Sequence, residues 1–366
     1  MTKLAPTYID IHVLQTVPPS CVNRDDTGSP KTAVYGGVTR ARVSSQAWKH
    51  AIREMMKELL TQNLIGVRTK HLVKLIAKEI SILDNNINNP DEMAQEALKK
   101  SGVIKEDKKS KSKEELLMDA LCFISQTQAQ NLAKLAINDE KNAKKYKDAI
   151  KENPAVDIVL FGRMIANNQN LNYDAAAQVA HSISTHEVHN EYDYFTAMDD
   201  LSPEDSVGAA HLDTIEFNSS TLYRYATLNL KEVATHFDAE QTVQAACAFI
   251  QSFLLSMPTG KQNTFANRTA PDLAYITIRS DQPVNLVGAF EKPVRSKGEG
   301  YVAASEAALI GYAQKIYGEF ISPPQQAFII GGSEISAISG QRVSLTEFLE
   351  QMKMTVCTKL KAGEEA

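Results

Sequence analysis

The chain has 366 residues, which exceeds the usual size of a single hydrophobic core, so we expect more than one structural unit. Its longest apolar run, near residues 245–257, is interrupted by Gln251 and Ser252 and is too short to span a bilayer. No signal peptide precedes Tyr8, and the four cysteines lack paired spacing. The composition therefore favours a cytoplasmic protein without a membrane segment, a zinc site or a disulfide framework.

The charge of the chain is unevenly distributed. The net charge is −5, which argues against a protein that is basic over its whole surface. Residues 24–53 nevertheless contain six lysines and arginines against two acids, Asp25 and Asp26. Such a basic island on an acidic chain is typical of a protein that holds one nucleic-acid strand in one groove.

The N-terminal part predicts a strand, a long loop, a second strand and a helix. Residues 8–14 and 38–43 alternate as half-buried strands do, whereas residues 17–37 lack periodicity. Loops of that length inside a compact domain are usually functional or disordered. Ser44 or Ser45 can cap the helix. The helix carries an apolar stripe at helical spacing: Trp48, Ile52, Met55 and Leu59.

The start of this helix is a candidate phosphate site. Free N–H groups and the positive end of the helix dipole favour an anion there. Gly36 and Gly37 let the preceding loop approach a ligand closely. The alternative is an ordinary capped helix with a solvated polar face. Four polar side chains can converge on this volume: Arg42, Gln46, Lys49 and Arg53.

The middle of the chain is predicted to be mostly helical. We expect helices in residues 69–82 and 91–152, with a lysine-rich interruption at residues 99–113. That interruption is either a solvated loop or a contact with a target duplex. Residues 155–161 predict a short apolar strand, and residues 175–186 predict another helix.

Several polar positions in this region have both a functional and a structural interpretation. Arg163 is either a phosphate contact or a surface charge, and Met164 is either a core residue or a thioether that packs on a nucleobase. A histidine cluster also suggests a metal site, but its spacing matches no ligand pattern, so we do not adopt it. The cluster comprises His181, His186, His189, His211 and Asp193.

The C-terminal half alternates strands and helices, which indicates an α+β fold. Residues 187–221 predict an extended hairpin rich in aromatic residues. The polar segment after Leu255 carries Lys261 and Arg268, and it is either a loop over a groove or a plain surface loop. The remaining predicted strands are 222–230, 273–278 and 327–330, and the remaining predicted helices are 242–255, 303–317 and 345–354.

Several blocks of this sequence resemble one known family. They are CVNRDD (21–26), YGG (35–37), SSQAWKHAIR (44–53), FGRM (161–164), STHEVHNEYDYFTAMDDL (184–201) and MPTG (257–260). In this order they are similar to the backbone subunit of the type I-E CRISPR Cascade complex, the Cas-seven family. The resemblance implies a modified RRM-like (ferredoxin-like) palm with inserted helical fingers and an extended β-hairpin thumb. The implied bounds are 1–60 and 222–366 for the palm, 61–186 for the fingers and 187–221 for the thumb.

The resemblance also implies a function. The chain would polymerise along a guide CRISPR RNA and display it for pairing with target DNA, without a catalytic residue, metal or cofactor of its own. The implied partners are the guide RNA, the target DNA, further copies of this chain, the large and small Cascade subunits, the 5′-end subunit and the endoribonuclease that holds the 3′ hairpin.

Candidate RNA contacts fall into three groups. By resemblance, Phe195 and Thr196 contact the strand as a wedge supported by Tyr194, and Met164 lies against the bases. The resemblance likewise places Lys261 and Arg268 on the guide. Contacts to the sugar-phosphate chain are expected from Arg24, Arg40, Arg42, Ser44, Ser45, Gln46, Lys49, Arg53 and Arg163.

Two other functions stay open. Related type III backbone proteins cut target RNA with a loop aspartate, which makes Asp25 and Asp26 candidate Mg²⁺ ligands. We expect these carboxylates instead to orient the loop by ion pairing with Arg24 and Lys31. A generic single-strand binder would coat RNA of any length as monomers.

Overall fold

The computed structural model describes residues 5–104, 121–197, 211–333 and 338–364. None of the helices in these ranges is long and apolar enough to cross a membrane. The strands are β1 (Tyr8–Ser20), β2 (Thr32–Tyr35), β3 (Val38–Val43), β4 (Val67–Thr69), β5 (Cys122–Ile124), β6 (Ala177–Val179), β7 (Ser182–Ser184), β8 (Glu191–Ala197), β9 (His211–Asn229), β10 (Leu273–Arg279), β11 (Gln326–Gly331) and β12 (Gln341–Arg342). The helices are α1 (Ser45–Leu59), α2 (Leu72–Leu83), α3 (Pro90–Ser101), α4 (Gln126–Ile137), α5 (Ala143–Lys151), α6 (Val156–Phe161), α7 (Leu230–His236), α8 (Ala239–Leu255), α9 (Gln262–Phe265), α10 (Val302–Glu319) and α11 (Leu345–Glu364).

A central, mostly antiparallel sheet organises the protein, which confirms the α+β prediction. Its strands run in the order β12-β11-β10-β1-β9-β7-β3-β2, and β6 and β8 also pair with β9. The β11–β12 pair is parallel. Strand β1 pairs with β9 along one edge and with β10 along the other, so its backbone groups are satisfied on both sides.

The two faces of the sheet are covered by different elements. Ile11 and Ile276 belong to a large core that also contains Trp48 of α1, Phe249 of α8 and Met352 of α11. The opposite face carries the aromatic residues Tyr223, Tyr225 and Tyr275, which pack with residues 286–290 and with α10. Because both faces are covered, β1 is buried at nearly every position instead of alternating.

The aromatic residues on the second face bear on the RRM comparison. The central positions of β1 are mainly Ile and Val, whereas RRM domains stack bases on aromatic residues of their strands. Tyr225 and Tyr275 do lie on the neighbouring strands β9 and β10, but they are 7% and 2% exposed. Since they are buried, this sheet face offers no stacking surface to a nucleobase.

A second hydrophobic core lies among α2, α3, α4 and α5. It contains Ile76, Leu98, Leu132 and Tyr146, and its members fall between residues 72 and 171. The division of the chain into palm, fingers and thumb at the predicted boundaries stays a prediction.

Four local predictions are wrong. Residues 122–124, expected within the helical stretch 91–152, form β5, which pairs with β4. The predicted strand at residues 155–161 is instead helix α6 (Val156–Phe161), which is followed by Gly162 at a φ of 80°. The prediction failed because so short an apolar run does not distinguish a strand from a buried helix. Residues 175–186 form β6 and β7, since they pair with β9. The predicted loop at residues 17–37 is shorter, because β1 continues to Ser20 and β2 follows. Most of the lysine-rich stretch, at residues 105–113, and the hairpin connection, at residues 198–210, lie outside the described ranges.

Helix α1 begins as predicted, but its buried face is rotated slightly. Ser44 is the N-cap, and its Oγ accepts a hydrogen bond from the N–H of Ala47 at 3.2 Å. The buried side chains are Trp48, Ala51, Ile52 and Met56, whereas Met55 is half-buried and Leu59 is exposed.

Candidate nucleic-acid interface

Strand pairing brings two distant segments to the start of α1. Strand β3 leads into the helix, and its Val43 pairs with Ser182 of β7. This register places His181 beside the helix start, where its Nδ1 accepts a hydrogen bond from the N–H of Ser45 at 3.2 Å. The indole N–H of Trp48 donates to Ser182 Oγ at 2.9 Å, which holds β7 against the helix.

The helix N–H groups that we expected to be free are largely used by the protein. The N–H of Ala47 is taken by the Ser44 hydroxyl, and the N–H of Ser45 by His181. Ser44 is also buried and its hydroxyl caps the helix, so its RNA contact stays a prediction. An anion at this position would therefore be held mainly by side chains.

Basic side chains surround the helix start without acidic partners. Within the described residues, no carboxylate lies within 4.0 Å of the charged groups of Arg24, Lys31, Arg42 or Lys49. Lys49 is half-buried, and this burial lowers the pKa of its ammonium. Arg42 Nε donates to the carbonyl oxygen of Thr32 at 3.0 Å, which fixes the direction of its guanidinium. A half-buried cation without a counter-ion favours an anionic ligand.

A groove of about 460 Å³ lies on one side of the helix start. It is lined by residues 22–26 and Gly28, by Ala47 and His50 of α1, and by residues 258–260. Gly260 packs so closely that a Cβ there would lie 2.0 Å from the carbonyl oxygen of Val22. The predicted loop after α8 therefore does lie over a groove.

Two basic residues converge near this groove. Burial raises the pKa of the Cys21 thiol, and the positive charges of Arg24 and Lys261 oppose this rise. Both charges thus act on the same thiol, as do the carboxylates of Asp25 and Glu216, which raise its pKa. At 100° per residue, Ser45 and Lys49 lie on a different face of α1 from the groove residues Ala47 and His50. The basic residues consequently form a rim around the helix start instead of a single cluster.

Asp25 stabilises a turn within the groove wall. Its Oδ1 accepts hydrogen bonds from the N–H of Thr27 at 2.9 Å, the Thr27 hydroxyl at 2.7 Å and the N–H of Ser29 at 3.0 Å. These bonds lower the pKa of the carboxyl group. The expected ion pairing with Arg24 and Lys31 is wrong, although the loop-orienting role stands.

Arg40 is buried and cannot contact a phosphate, so that prediction is wrong. Its guanidinium is 0% exposed and donates to the carbonyl oxygens of Tyr35, Ser184 and Phe290 at 3.1, 3.0 and 2.8 Å. Strand alternation correctly places Arg40 and Arg42 on one face of the strand. It cannot predict that distant segments cover Arg40 and leave Arg42 partly exposed.

Arg163 also points into the protein, so its predicted phosphate contact is wrong, whereas Arg53 is half-buried with an acidic partner, and its phosphate contact stays a prediction. Arg163 is 4% exposed and donates to the carbonyl oxygens of Ile150 and Leu171, both at 2.9 Å. The Arg53 side chain is 14% exposed, and its Nε lies 3.1 Å from Oδ2 of Asp157. Both arginines therefore stabilise the fold.

The predicted hairpin is formed by β8 and β9, paired from Glu191 with Phe217 to Ala197 with His211. Tyr192 and Tyr194 are 67% and 63% exposed, and strand alternation puts them on one face with Thr196. Phe195 lies on the other face and is half-buried. The sequence interpretation emphasised Phe195 and gave Tyr192 no functional role, because alternation does not tell which face is exposed.

The other predicted contact residues are accessible. Met164 is 80% exposed, directly after the buried Arg163. Gln46 is exposed, Ser45 is half-buried, and Arg268 is exposed with its guanidinium 3.5 Å from the Leu255 carbonyl oxygen.

His181 and His186 have hydrogen-bond partners within the fold. His186 uses both ring nitrogens, since Nε2 accepts from the N–H of Thr221 at 3.1 Å and Nδ1 bonds the Glu187 carbonyl oxygen at 2.7 Å. In the ranges that the structure covers, no group of three or more His, Cys, Asp or Glu residues is placed to hold a metal ion.

A family model described as "CT1975-like protein" matches residues 9–354. A chain of a solved "CRISPR RNA-guided surveillance complex, pre-nicking" superposes with a TM-score of 0.80 and 32% identity, over 96% of this chain and 100% of that chain. A chain of a "CRISPR RNA-guided surveillance complex" gives a TM-score of 0.62 and 28% identity, over 95% and 99%. A search of curated proteins found no match.

Proposed function

Because the chain belongs to the CT1975-like family and is a backbone protein of the CRISPR Cascade type, we propose that it binds a guide CRISPR RNA. The resemblance found in the sequence blocks is thereby confirmed at the level of the family. The finer assignments are proposals: a type I-E complex, several copies of the chain polymerised along one guide, and display of the guide for pairing with target DNA. In this proposal the chain is cytoplasmic and has no enzymatic activity.

One observation carries the proposal: a rim of basic side chains that have no carboxylate partner among the residues that the structure describes, on a chain with a net charge of −5. The guide backbone would pass across the start of α1. Arg24 and Lys261 would contact it on the groove side, and Arg42, Lys49 and Ser45 on the other side. Gln46, which is exposed, and Arg268 would extend this contact.

The hairpin would act on the guide of a neighbouring copy. The exposed rings of Tyr192 and Tyr194 can replace base stacking lost when a nucleotide is displaced, and they do so without reading sequence. Thr196 shares their face, and Phe195 on the opposite face would support the wedge from behind. This reverses the roles first assigned to Tyr194 and Phe195. Met164, at 80% exposure, would pack against a base.

The remaining parts of the chain fit a palm, fingers and thumb division as a proposal. The sheet with α1, α8 and α11 would form an RRM-like palm, the second core around Ile76 and Leu132 the fingers, and β8 with the start of β9 the thumb. The proposed partners are the guide RNA, target DNA, further copies of the chain, the large and small subunits, the 5′-end subunit and the hairpin-binding endoribonuclease.

Co-expression with a repeat array tests this function. The purified protein is expected to carry guide RNA of one length, in assemblies whose mass follows the guide length. Recovery of RNA of every length on monomers would favour a generic single-strand binder. Cleavage of guide-complementary RNA with Mg²⁺, and its loss in Asp25→Ala, would favour the ribonuclease. Recovery of protein without nucleic acid would refute the proposal.

Lys49→Ala is expected to weaken guide RNA binding about tenfold, uniformly across sequences, because a charge-assisted phosphate contact is lost. The slope of log Kd against log salt should fall by about 0.7, the value for one phosphate on a single strand. Lys57→Ala is the matched control, since Lys57 lies on the same helix but bonds Glu54 at 2.7 Å. An unchanged slope in Lys49→Ala would remove Lys49 from the phosphate contacts.

Tyr194→Ala is expected to cost about 1–3 kcal/mol of RNA binding through lost stacking, while leaving the salt slope unchanged. Chemical probing of the bound guide should show altered reactivity at regularly spaced nucleotides. Tyr194→Phe keeps the ring and should behave as the wild type. If probing patterns of Tyr194→Ala and wild type coincide, the exposed hairpin face does not contact bases.

A further inference from the structure

The hydrogen bond between Ser45 and His181 determines where the histidine carries its proton. The N–H of Ser45 donates to His181 Nδ1 at 3.2 Å, so Nδ1 must hold a lone pair. In a neutral imidazole one nitrogen accepts and the other donates, and the proton therefore resides on Nε2. The ring is exposed, and among the described residues Nε2 has no hydrogen-bond partner.

The charges that face this ring favour its neutral form. Partial burial is the largest cause that lowers the pKa of His181. The positive charges of Arg42 on β3 and of Lys31 before β2 lower the pKa further. The ring is therefore neutral at pH 7, with a fixed N–H donor beside two cations that have no carboxylate partner within the described part of the chain.

The position of the donor is also fixed by the fold. His181 directly precedes Ser182, which pairs with Val43 in the sheet and accepts a hydrogen bond from the Trp48 indole at 2.9 Å. The imidazole is thus held by Ser45 through Nδ1, on a backbone that Ser182 anchors to the sheet and to α1. Such preorganisation lowers the entropic cost of binding a ligand.

We propose that His181 is a further guide RNA contact, in which its Nε2–H donates to a phosphate oxygen that lies between Lys31 and Arg42. The inference rests on the proposed function, because it takes the anion to be an RNA phosphodiester. The role differs from that of the lysines: a neutral, directional donor selects the position of one phosphate oxygen and adds nothing to the net charge of the rim.

Two substitutions separate the two ring nitrogens. In His181→Asn the amide oxygen replaces Nδ1 and keeps the bond from Ser45, but the distal donor is lost. In His181→Gln the longer amide places an N–H near the position of Nε2, and the bond from Ser45 is lost. We expect the Kd for guide RNA to rise roughly five- to tenfold in His181→Asn and to stay within about twofold in His181→Gln. The salt slope should stay unchanged in both variants, because a neutral group releases no counter-ion.

Nitrogen-15 NMR of the histidine rings gives a second readout that does not require RNA. The wild-type protein at pH 7.5 should show the His181 proton on Nε2. Detection of the proton on Nδ1 would overturn the proposal. So would wild-type RNA binding in both variants, or an equal loss of binding in both together with lower melting temperatures, which would indicate a structural role only.

Failure of the His181 proposal can be distinguished from failure of the proposed guide RNA binding. If the wild-type protein binds no guide RNA, the proposed function fails whatever the tautomer. If millimolar inorganic phosphate displaces RNA from the wild type and from His181→Asn equally, the site takes a phosphate without using His181, and the inference fails alone.

Discussion

Asp157→Ala is expected to lower the free energy of unfolding by about 3–5 kcal/mol, because it leaves the Arg53 guanidinium uncompensated in a largely buried position. Asp157 is fully buried, and its carboxylate accepts from Arg53 Nε at 3.1 Å and from the N–H of Gly66 at 2.8 Å. Burial raises the pKa of this carboxyl group although both partners oppose the rise. The Arg53 guanidinium also lies 4.6 Å from the centre of the Phe123 ring. Asp157 thus joins α1 to the segment before β4.

The comparison is with the double variant Arg53→Met/Asp157→Leu, which removes both charges and fills similar volume. It should recover the part of the loss that comes from the unpaired Arg53 charge, since replacing a buried pair by apolar residues is often neutral, while the N–H of Gly66 stays unpaired in both variants. Urea unfolding followed by circular dichroism measures both effects. A loss below about 1 kcal/mol in Asp157→Ala, the range of exposed ion pairs, would show that Arg53 is not confined by this pair.

Gly36→Ala is expected to destabilise the protein by about 3 kcal/mol, because the added methyl group has no space. A Cβ at Gly36 would lie 1.7 Å from the carbonyl oxygen of Glu291, and its φ of +61° already disfavours alanine. The β2–β3 turn would have to leave residues 290–291, whose carbonyl oxygens accept from Arg40 at 2.8 and 3.4 Å. This close approach, and not one to a ligand, explains the glycine.

Gly37→Ala is the matched control for this prediction. Gly37 has a φ of +80°, but no atom lies within 4 Å of a Cβ built there. The control should therefore show only the backbone strain, about 1 kcal/mol. Thermal unfolding of the two variants side by side measures the difference. Equal melting temperatures would mean that the turn adapts and that the Arg40 contacts survive.

Sequence periodicity predicted the strand and the helix that meet at the start of α1. The alternation before Val43, the cap at Ser44 and the stripe through Trp48 and Ile52 are local signals, and the structure confirms each of them. Local signals also sufficed for β10 and for helices α8, α10 and α11, whose observed bounds contain the predicted ones.

The roles of the arginines could not be predicted in the same way. Arg40, Arg53 and Arg163 are as basic as Arg42, but their partners are distant in the chain: Arg40 bonds Phe290, 250 positions away, and Arg53 bonds Asp157, 104 positions away. Whether a guanidinium meets a phosphate or a carbonyl oxygen depends on which segments cover it, and this is a property of tertiary packing.

The same limit explains why His181 was assigned only to a metal hypothesis. Its partner Ser45 lies 136 positions away, and only the β3–β7 register brings the two together. The short Ser-Ile-Ser run directly after His181 could have been assigned to a strand, which would have indicated this pairing. The interpretation of residues 175–186 as a helix removed that possibility.

Strand β9 has 19 residues and pairs with β1 over its second part and with β8 over its first. One uninterrupted ribbon, about 60 Å long at the usual rise, thus connects the exposed tyrosine face to the centre of the molecule. The register between β1 and β9 shifts once, between Val17 and Ser20, close to where β9 changes its partner strand. The hairpin leaves the sheet at this irregularity, and its reach is set by a residue count. Loss of two residues from each of β8 and β9, between the sheet and the tyrosines, would shorten that reach by about 7 Å with the same face outward, whereas loss of one from each would turn the tyrosine face around. The length of the hairpin strands therefore sets both how far the tyrosines reach and which way they face.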